Sequence, residues 1–293
     1  MYTPALMIAN SLLTMQATDG TNTQPTEQAV QAKINGISIA YHEQGHGVPL
    51  VFLHAFPLNR SMWVEQEQAL SSWFRVLTVD LRGHGKSDAP LWRYTLDQAA
   101  DDVIGLLDYL SIRHAAFVGL SMGGYILFAL YRKYADRVKG MVLADTRAQA
   151  DTPEGKEGRF QMAQTAYKNG PSAIADIMIP KLLSPATVQT KPELVRRVRA
   201  MIEGNQVSGI AGDLMAMAER PDSIPLLGQI TCPTQIIVGE LDLPTPPADA
   251  KLMADRIPGA RLAVLPGAAH LANLEQPDLF NETVRSFVSN LVR

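Results

Sequence analysis

Six short runs dense in Val, Leu and Ile recur along the chain: "PLVFLHAF" (49–56), "RVLTVDL" (75–81), "AAFVGL" (115–120), "GMVLAD" (140–145), "TQIIVGE" (234–240) and "ARLAVLPG" (260–267). Apolar runs of this kind, without polar alternation, read as strands buried on both faces. Helical stretches lie between them, at 61–71, 95–110 with Thr95 as N-cap, 122–137 and 247–257, and a last one at 277–292. Strands alternating with helices build a mostly parallel sheet covered on both sides. The opening differs. Asn35-Gly36 separates two alternating segments in "VQAKINGISIAYHEQG", a hairpin signal, so two antiparallel strands precede the others and the sheet has eight strands.

One interval breaks the rhythm. From Arg147 to Gly228 no run reads as a strand, while four helical stretches occur, including "GRFQMAQTAYKNG" and "PELVRRVRAMIEGN". A segment of some 80 residues is too long for a simple connection. Residues 147–228 are therefore expected to form a helical cap, inserted between the sixth and seventh strands and resting on the C-terminal edge of the sheet. Met162, Met178, Met201, Met215 and Met217 are expected to pack between its helices. The core then comprises 29–146 and 229–293, and the polar, turn-rich residues up to 28 read as a flexible N-terminal arm.

With 46% apolar residues and a formal net charge of −3, the 293-residue chain reads as an ordinary soluble protein. It has no basic cluster to attract nucleic acid or anionic lipid, and no stretch approaches the ~20 apolar residues that span a bilayer. Cys232 is the single cysteine, which rules out an intrachain disulfide and a Cys-rich metal site and suits a reducing compartment. "ALMIANSLLTM" (5–15) lacks the basic prelude of a secretory signal, since the first basic residue is Lys33. A cytoplasmic protein is expected, with export through an atypical signal as the alternative. The sequence sets no oligomeric state.

"FVGLSMGGY" (117–125) places Ser121 between Gly119 and Gly123, where a strand ends and a helix begins. A sharp turn there needs glycines for close strand–helix approach and pushes the serine hydroxyl out of the fold. Met122 opens the helix, so its N–H is unpaired and is one candidate oxyanion donor. The loop after the third strand, "LHAFPLN", offers the backbone N–H of Phe56 as the second. A serine needs a base, and histidine is the usual one. Of six histidines, His270 follows the last strand in "LPGAAHLANLEQP", at the sheet edge shared with Ser121. His54 and His84 lie in neighbouring loops and are expected to brace them, His54 also being a candidate substrate contact. The acid that orients the base is Asp242 in "GELDLPTPP" or Asp145 in "LADTRA". Asp242 is preferred because it lies beyond its strand, free to turn, whereas Asp145 sits at the cap hinge.

These motifs, with "DLRGHGKSD" (80–88) and "LEQPDLFNETVRSFV" near the end, resemble the α/β-hydrolase superfamily over residues 30 to 293. The small bacterial esterases, 3-oxoadipate enol-lactonases and cofactor-free haloperoxidases are most similar. The resemblance implies an α/β-hydrolase fold and a Ser121-His270-Asp242 triad in the family's order Ser, acid, His. It also implies a two-amide oxyanion hole at Phe56 and Met122, and no metal or organic cofactor. Many relatives carry His-Gly where this chain has His54-Ala55. A serine rather than an aspartate at the elbow argues for acyl transfer. The expected reaction is hydrolysis of a small or medium carboxylic ester through an acyl-enzyme. Alternatives are an enol-lactonase using Arg147 to hold a carboxylated lactone, a perhydrolase, or a non-catalytic small-molecule sensor.

Overall fold

The computed structural model describes residues 30–91 and 93–291, and the arm expected over 1–28 lies outside the described residues. Val30–Ile34 (β1) and Ile37–Gln44 (β2) pair antiparallel across Asn35 and Gly36, which hold φ of 48° and 83°. Two successive positive φ values give a tight turn whose twist matches that of the strands. Next come β3 (Pro49–Leu53), α1 (Val64–Leu70), β4 (Arg75–Val79), α2 (Leu96–Tyr109), β5 (Ala115–Leu120), α3 (Met122–Tyr134) and β6 (Val138–Ala144). Five helices follow without a strand: α4 (Pro153–Leu182), α5 (Pro185–Thr190), α6 (Pro192–Glu203), α7 (Val207–Ala218) and α8 (Ile224–Leu227). The chain then forms β7 (Thr234–Gly239), α9 (Pro247–Arg256), β8 (Arg261–Leu265), α10 (Ala272–Glu275) and α11 (Pro277–Asn290).

The strands make one sheet in the order β1-β2-β4-β3-β5-β6-β7-β8, with β2 antiparallel to β4 and β3 to β8 mutually parallel. Parallel strands send their following loops out at one edge. The segments carrying Phe56, Ser121, Asp145, Asp242 and His270 therefore leave the sheet side by side. Every residue of β5 and β7 is buried, as their unbroken apolar runs require. β8 departs from that expectation. Leu262 and Val264 are exposed, β8 being an edge strand of the sheet among the described residues. Thr95 caps α2 as its sequence suggests: its hydroxyl accepts the Gln98 backbone N–H while the Gln98 side-chain Oε1 accepts the Thr95 N–H, each at 3.0 Å. Trp63 packs against Phe52 and Phe280, with ring centroids 5.0 and 6.0 Å away, and so joins the sheet to α11.

Five helices stand between β6 and β7 where the sequence suggested four stretches. The longest, α4, is itself broken at Gly170, with φ 78° and ψ 178°, because Pro171 bars the residue before it from helical geometry. Among the described residues no helix is long and apolar enough to cross a membrane.

Backbone packs closely against backbone at the start of α3. A methyl group on Gly123 would sit 2.2 Å from the Leu53 carbonyl oxygen, and one on Gly119 would sit 2.5 Å from the Gly123 carbonyl. The clashing atoms are backbone, so relief requires moving β3 or α3. Gly123→Ala is expected to lower unfolding stability by about 3 kcal/mol. Gly158→Ala, on an exposed stretch of α4 with nothing within 4 Å, is expected to gain up to about 1 kcal/mol from helix propensity. Chemical denaturation of both variants checks the pair.

Candidate active site

Ser121 is the hinge between β5 and α3, with φ 54° and ψ −109°, a backbone conformation that costs a non-glycine residue roughly 1–3 kcal/mol. Four hydrogen bonds hold it there. Its N–H donates to the Ala144 carbonyl at 2.9 Å, and its own carbonyl accepts the Thr146 hydroxyl and the Gly124 and Tyr125 N–H groups. The turn is thus tied to β6 on one side and to α3 on the other. The residue is 9% exposed.

His270 stands in the loop between β8 and α10. Its Nδ1 lies 2.9 and 3.0 Å from the two carboxylate oxygens of Asp242, and both side chains are buried. Asp242 is fixed in turn by Thr245, whose N–H donates to Oδ1 at 3.0 Å and whose hydroxyl donates to Oδ2 at 2.7 Å. A carboxylate on Nδ1 selects the tautomer with its proton there, leaving Nε2 as the basic nitrogen. Thr245 was not singled out in the sequence. Its signal is the three-residue spacing from Asp242, by which the aspartate folds its own loop into an Asx-type turn.

The His270 loop is clamped on both sides. The Ala269 N–H donates to Glu275 Oε2 at 2.6 Å, and the Leu271 N–H donates to the Leu182 carbonyl at 3.1 Å. The other Glu275 oxygen accepts the Ser184 N–H at 2.9 Å. One buried glutamate therefore joins this loop to the segment after α4. Nothing local in the sequence marks Glu275, since its partners come from chain segments that only folding brings together.

On the opposite side, Phe56 follows β3 and Met122 begins α3. Among the described residues neither N–H has a protein acceptor, whereas the neighbouring Ala55 N–H donates to Met62 Sδ and the Leu58 N–H to the Ala55 carbonyl. Two unpaired amides at adjacent loop ends suit a developing oxyanion. Asn205, between α6 and α7, supports this loop: its amide donates to the Pro57 carbonyl at 2.7 Å, and its oxygen accepts the Gly85 N–H at 2.8 Å.

His54 makes the loop-bracing bonds expected of it. It is fully buried, its Nδ1 donates to the Ala55 carbonyl and its Nε2 accepts the Leu81 N–H, each at 3.0 Å. Both ring nitrogens are committed to the loops, leaving none for a substrate. Burial, reinforced by His84, pushes its pKa down to about 3, so the ring is neutral. His84 is likewise held at about 4 by burial and meets Asp213 of α7 at 3.2 Å. Burial also drives the Asp213 carboxyl well above the usual range, against the pull of Arg82. The His84–Asp213 contact links the inserted helices to the loop after β4.

Arg147 is drawn into an ion cluster. Its guanidinium meets Asp151 at 3.0 Å, and the same carboxylate binds Arg220 at 2.8 Å and Arg159. Burial alone would raise Asp151, but Arg159 and Arg220 hold it well below the usual carboxylate range. Arg220 also lies over the Tyr125 ring, 4.2 Å from its centroid. The described contacts thus give Arg147 a bracing role beside α3 and do not join it to Ser121 or His270.

Asp145 directly follows β6, with φ 42°, and is fully buried. Its Oδ1 accepts the Gly239 N–H at 2.7 Å. No bond joins it to His270, whose Nδ1 goes to Asp242.

Comparison with known proteins bears on the family and the fold. A family model described as the alpha/beta hydrolase fold matches residues 48–277. The chain is 32% identical to 3-oxoadipate enol-lactonase 2 of Acinetobacter baylyi, over 81% of its own length and 87% of the relative's. It superimposes on a thermophilic esterase from Thermogutta terrifontis with a TM-score of 0.87 at 39% identity, covering 90% and 99% of the two chains. An enol-lactonase from Burkholderia xenovorans gives a TM-score of 0.84 at 34% identity, covering 89% and 100%.

Proposed function

Because this chain belongs to the alpha/beta hydrolase family, we propose that it is a serine hydrolase cleaving small to medium carboxylic esters through an acyl-enzyme. The observation that carries this reading is a serine strained at φ 54° on the sheet edge that also holds the His270–Asp242 pair. Ser121 Oγ attacks the ester carbonyl carbon and its proton passes to His270 Nε2. The Phe56 and Met122 N–H groups hold the resulting oxyanion, and Asp242 stabilises the imidazolium. Collapse expels the alcohol, which takes the proton from His270 and leaves Ser121 acylated. Water then attacks the acyl carbon, giving a proton to His270; collapse breaks the acyl–Oγ bond, Ser121 Oγ takes that proton back from His270, and the carboxylic acid departs. The helices between β6 and β7 serve as the cap over this site.

A carboxylated enol-lactone is the second reading, favoured by the relatives from A. baylyi and B. xenovorans that are described as enol-lactonases. Against it stands Arg147, the cation suggested for such a substrate, whose guanidinium is already engaged by Asp151. The test is a panel of p-nitrophenyl esters of graded acyl length run beside a carboxylated enol-lactone. Faster turnover of the short esters is expected. A lactone preferred by tenfold or more would favour the second reading, and no turnover of either class would leave a binding protein.

A further inference from the structure

Asp145 and Asp242 are two buried carboxyls at the ends of neighbouring strands, and Gly239 joins them. The Gly239 N–H donates to Asp145 Oδ1 at 2.7 Å, while its carbonyl accepts the Asp242 N–H at 3.1 Å. Asp242 has acceptor bonds on both oxygens, from Thr245 and His270. Asp145 is fully buried, and its Oδ2 makes no hydrogen bond of ordinary geometry. An ionised carboxylate in that position would hold a charged oxygen without a well-formed hydrogen bond in the interior, beside a second negative charge. We propose that Asp145 is a positioning residue for Asp242: a neutral carboxylic acid that carries its proton on Oδ2 toward the Asp242 carboxylate, so that the pair bears one negative charge.

This inference rests on the reading of Asp242 as the residue that orients His270. Burial and then the Asp242 charge hold the Asp145 carboxyl well above the usual range, opposed by the backbone N–H groups of Gly239 and Ala272. Asp242 is the titratable group acting on it, with His270 behind Asp242. A neutral partner leaves Asp242 as the sole charge facing the imidazole. It also keeps the Asp242 carboxylate from turning away from Nδ1.

The test compares Asp145→Asn and Asp145→Ala with Ser121→Ala and Asp242→Asn in one ester assay across pH. Asparagine is neutral and keeps a donor, so kcat should fall severalfold at most, with the acid limb of kcat/KM unmoved. Alanine removes a hydrogen bond to a charged group, and kcat should fall about tenfold or more, with KM little changed. An acid limb displaced to lower pH in Asp145→Asn would mean that an ionised Asp145 had been stabilising the imidazolium, and it would overturn the proposal. An asparagine variant as impaired as the alanine one would do the same. Activity surviving Ser121→Ala or Asp242→Asn would instead defeat the functional reading beneath it.

Infrared spectroscopy of the wild-type protein gives a readout independent of the folding of the Asp145 variants. A protonated-carboxyl carbonyl band should persist at neutral pH, and its titration should move to lower pH in Asp242→Asn, where the neighbouring charge is gone. A band that Asp242→Asn leaves in place would belong to a buried carboxyl remote from the pair, such as Asp213, and would not count for Asp145. No band that responds to Asp242→Asn would overturn the proposal.

Discussion

Replacing Ser121 by alanine is expected to reduce kcat for a short p-nitrophenyl ester by about 10⁵- to 10⁶-fold, down to the level that oxyanion donors and binding alone provide. The loss is large because the hydroxyl is the atom that becomes acylated, and no neighbouring nucleophile takes its place in the proposed mechanism. The same position yields a stability readout. Alanine inherits the backbone strain of φ 54°, whereas glycine tolerates that region. Ser121→Gly should therefore be as inactive as Ser121→Ala yet unfold at a higher temperature, since relief of roughly 1–3 kcal/mol of strain exceeds the added chain entropy of glycine. Thermal melts of the two variants, with active-site titration by a fluorophosphonate, measure both effects. Ester hydrolysis within tenfold of wild type in Ser121→Ala would remove the serine from the mechanism.

The second large effect is expected at Asp242. Asp242→Asn should lower kcat by about 10⁴-fold while the fold stays intact. The Thr245 N–H can still donate to the asparagine carbonyl oxygen, which fills the position of Oδ1. The new amide then faces His270 Nδ1 as a donor where an acceptor stood. The imidazole is driven to the opposite tautomer, with its proton on Nε2, where it cannot receive one from Ser121. Circular dichroism and a melting temperature near that of wild type would separate this effect from misfolding. Should Asp145→Asn be the crippled variant and Asp242→Asn the mild one, the acid would have to be reassigned to the end of β6.

Much of the fold was legible because it rests on local pattern. Asn35-Gly36 forces a turn wherever it occurs between alternating segments, Thr95 caps α2 through residues three apart, and the apolar runs of β3 to β7 can be buried only inside a sheet. The exposure of β8 was not legible, because a run of Leu and Val is the same string whether or not another strand lies beyond it. The helical insertion showed itself as a missing strand signal, while its hydrogen bonds to the core through Asn205 and its contact through Asp213 did not.

At the site, the chain itself determined the glycine-flanked serine on a strand-to-helix turn and the histidine after the last strand, since spacing and order within the sequence carry both. Only the tertiary structure decided which aspartate meets that histidine. It also decided that His54 and Arg147 are committed to neighbours within the protein, and that Glu275 and Asn205 brace the site loops. The reason is physical: a hydrogen bond reaches about 3 Å, and groups scores of residues apart come within that reach only once the sheet has set the spacing of its strand ends.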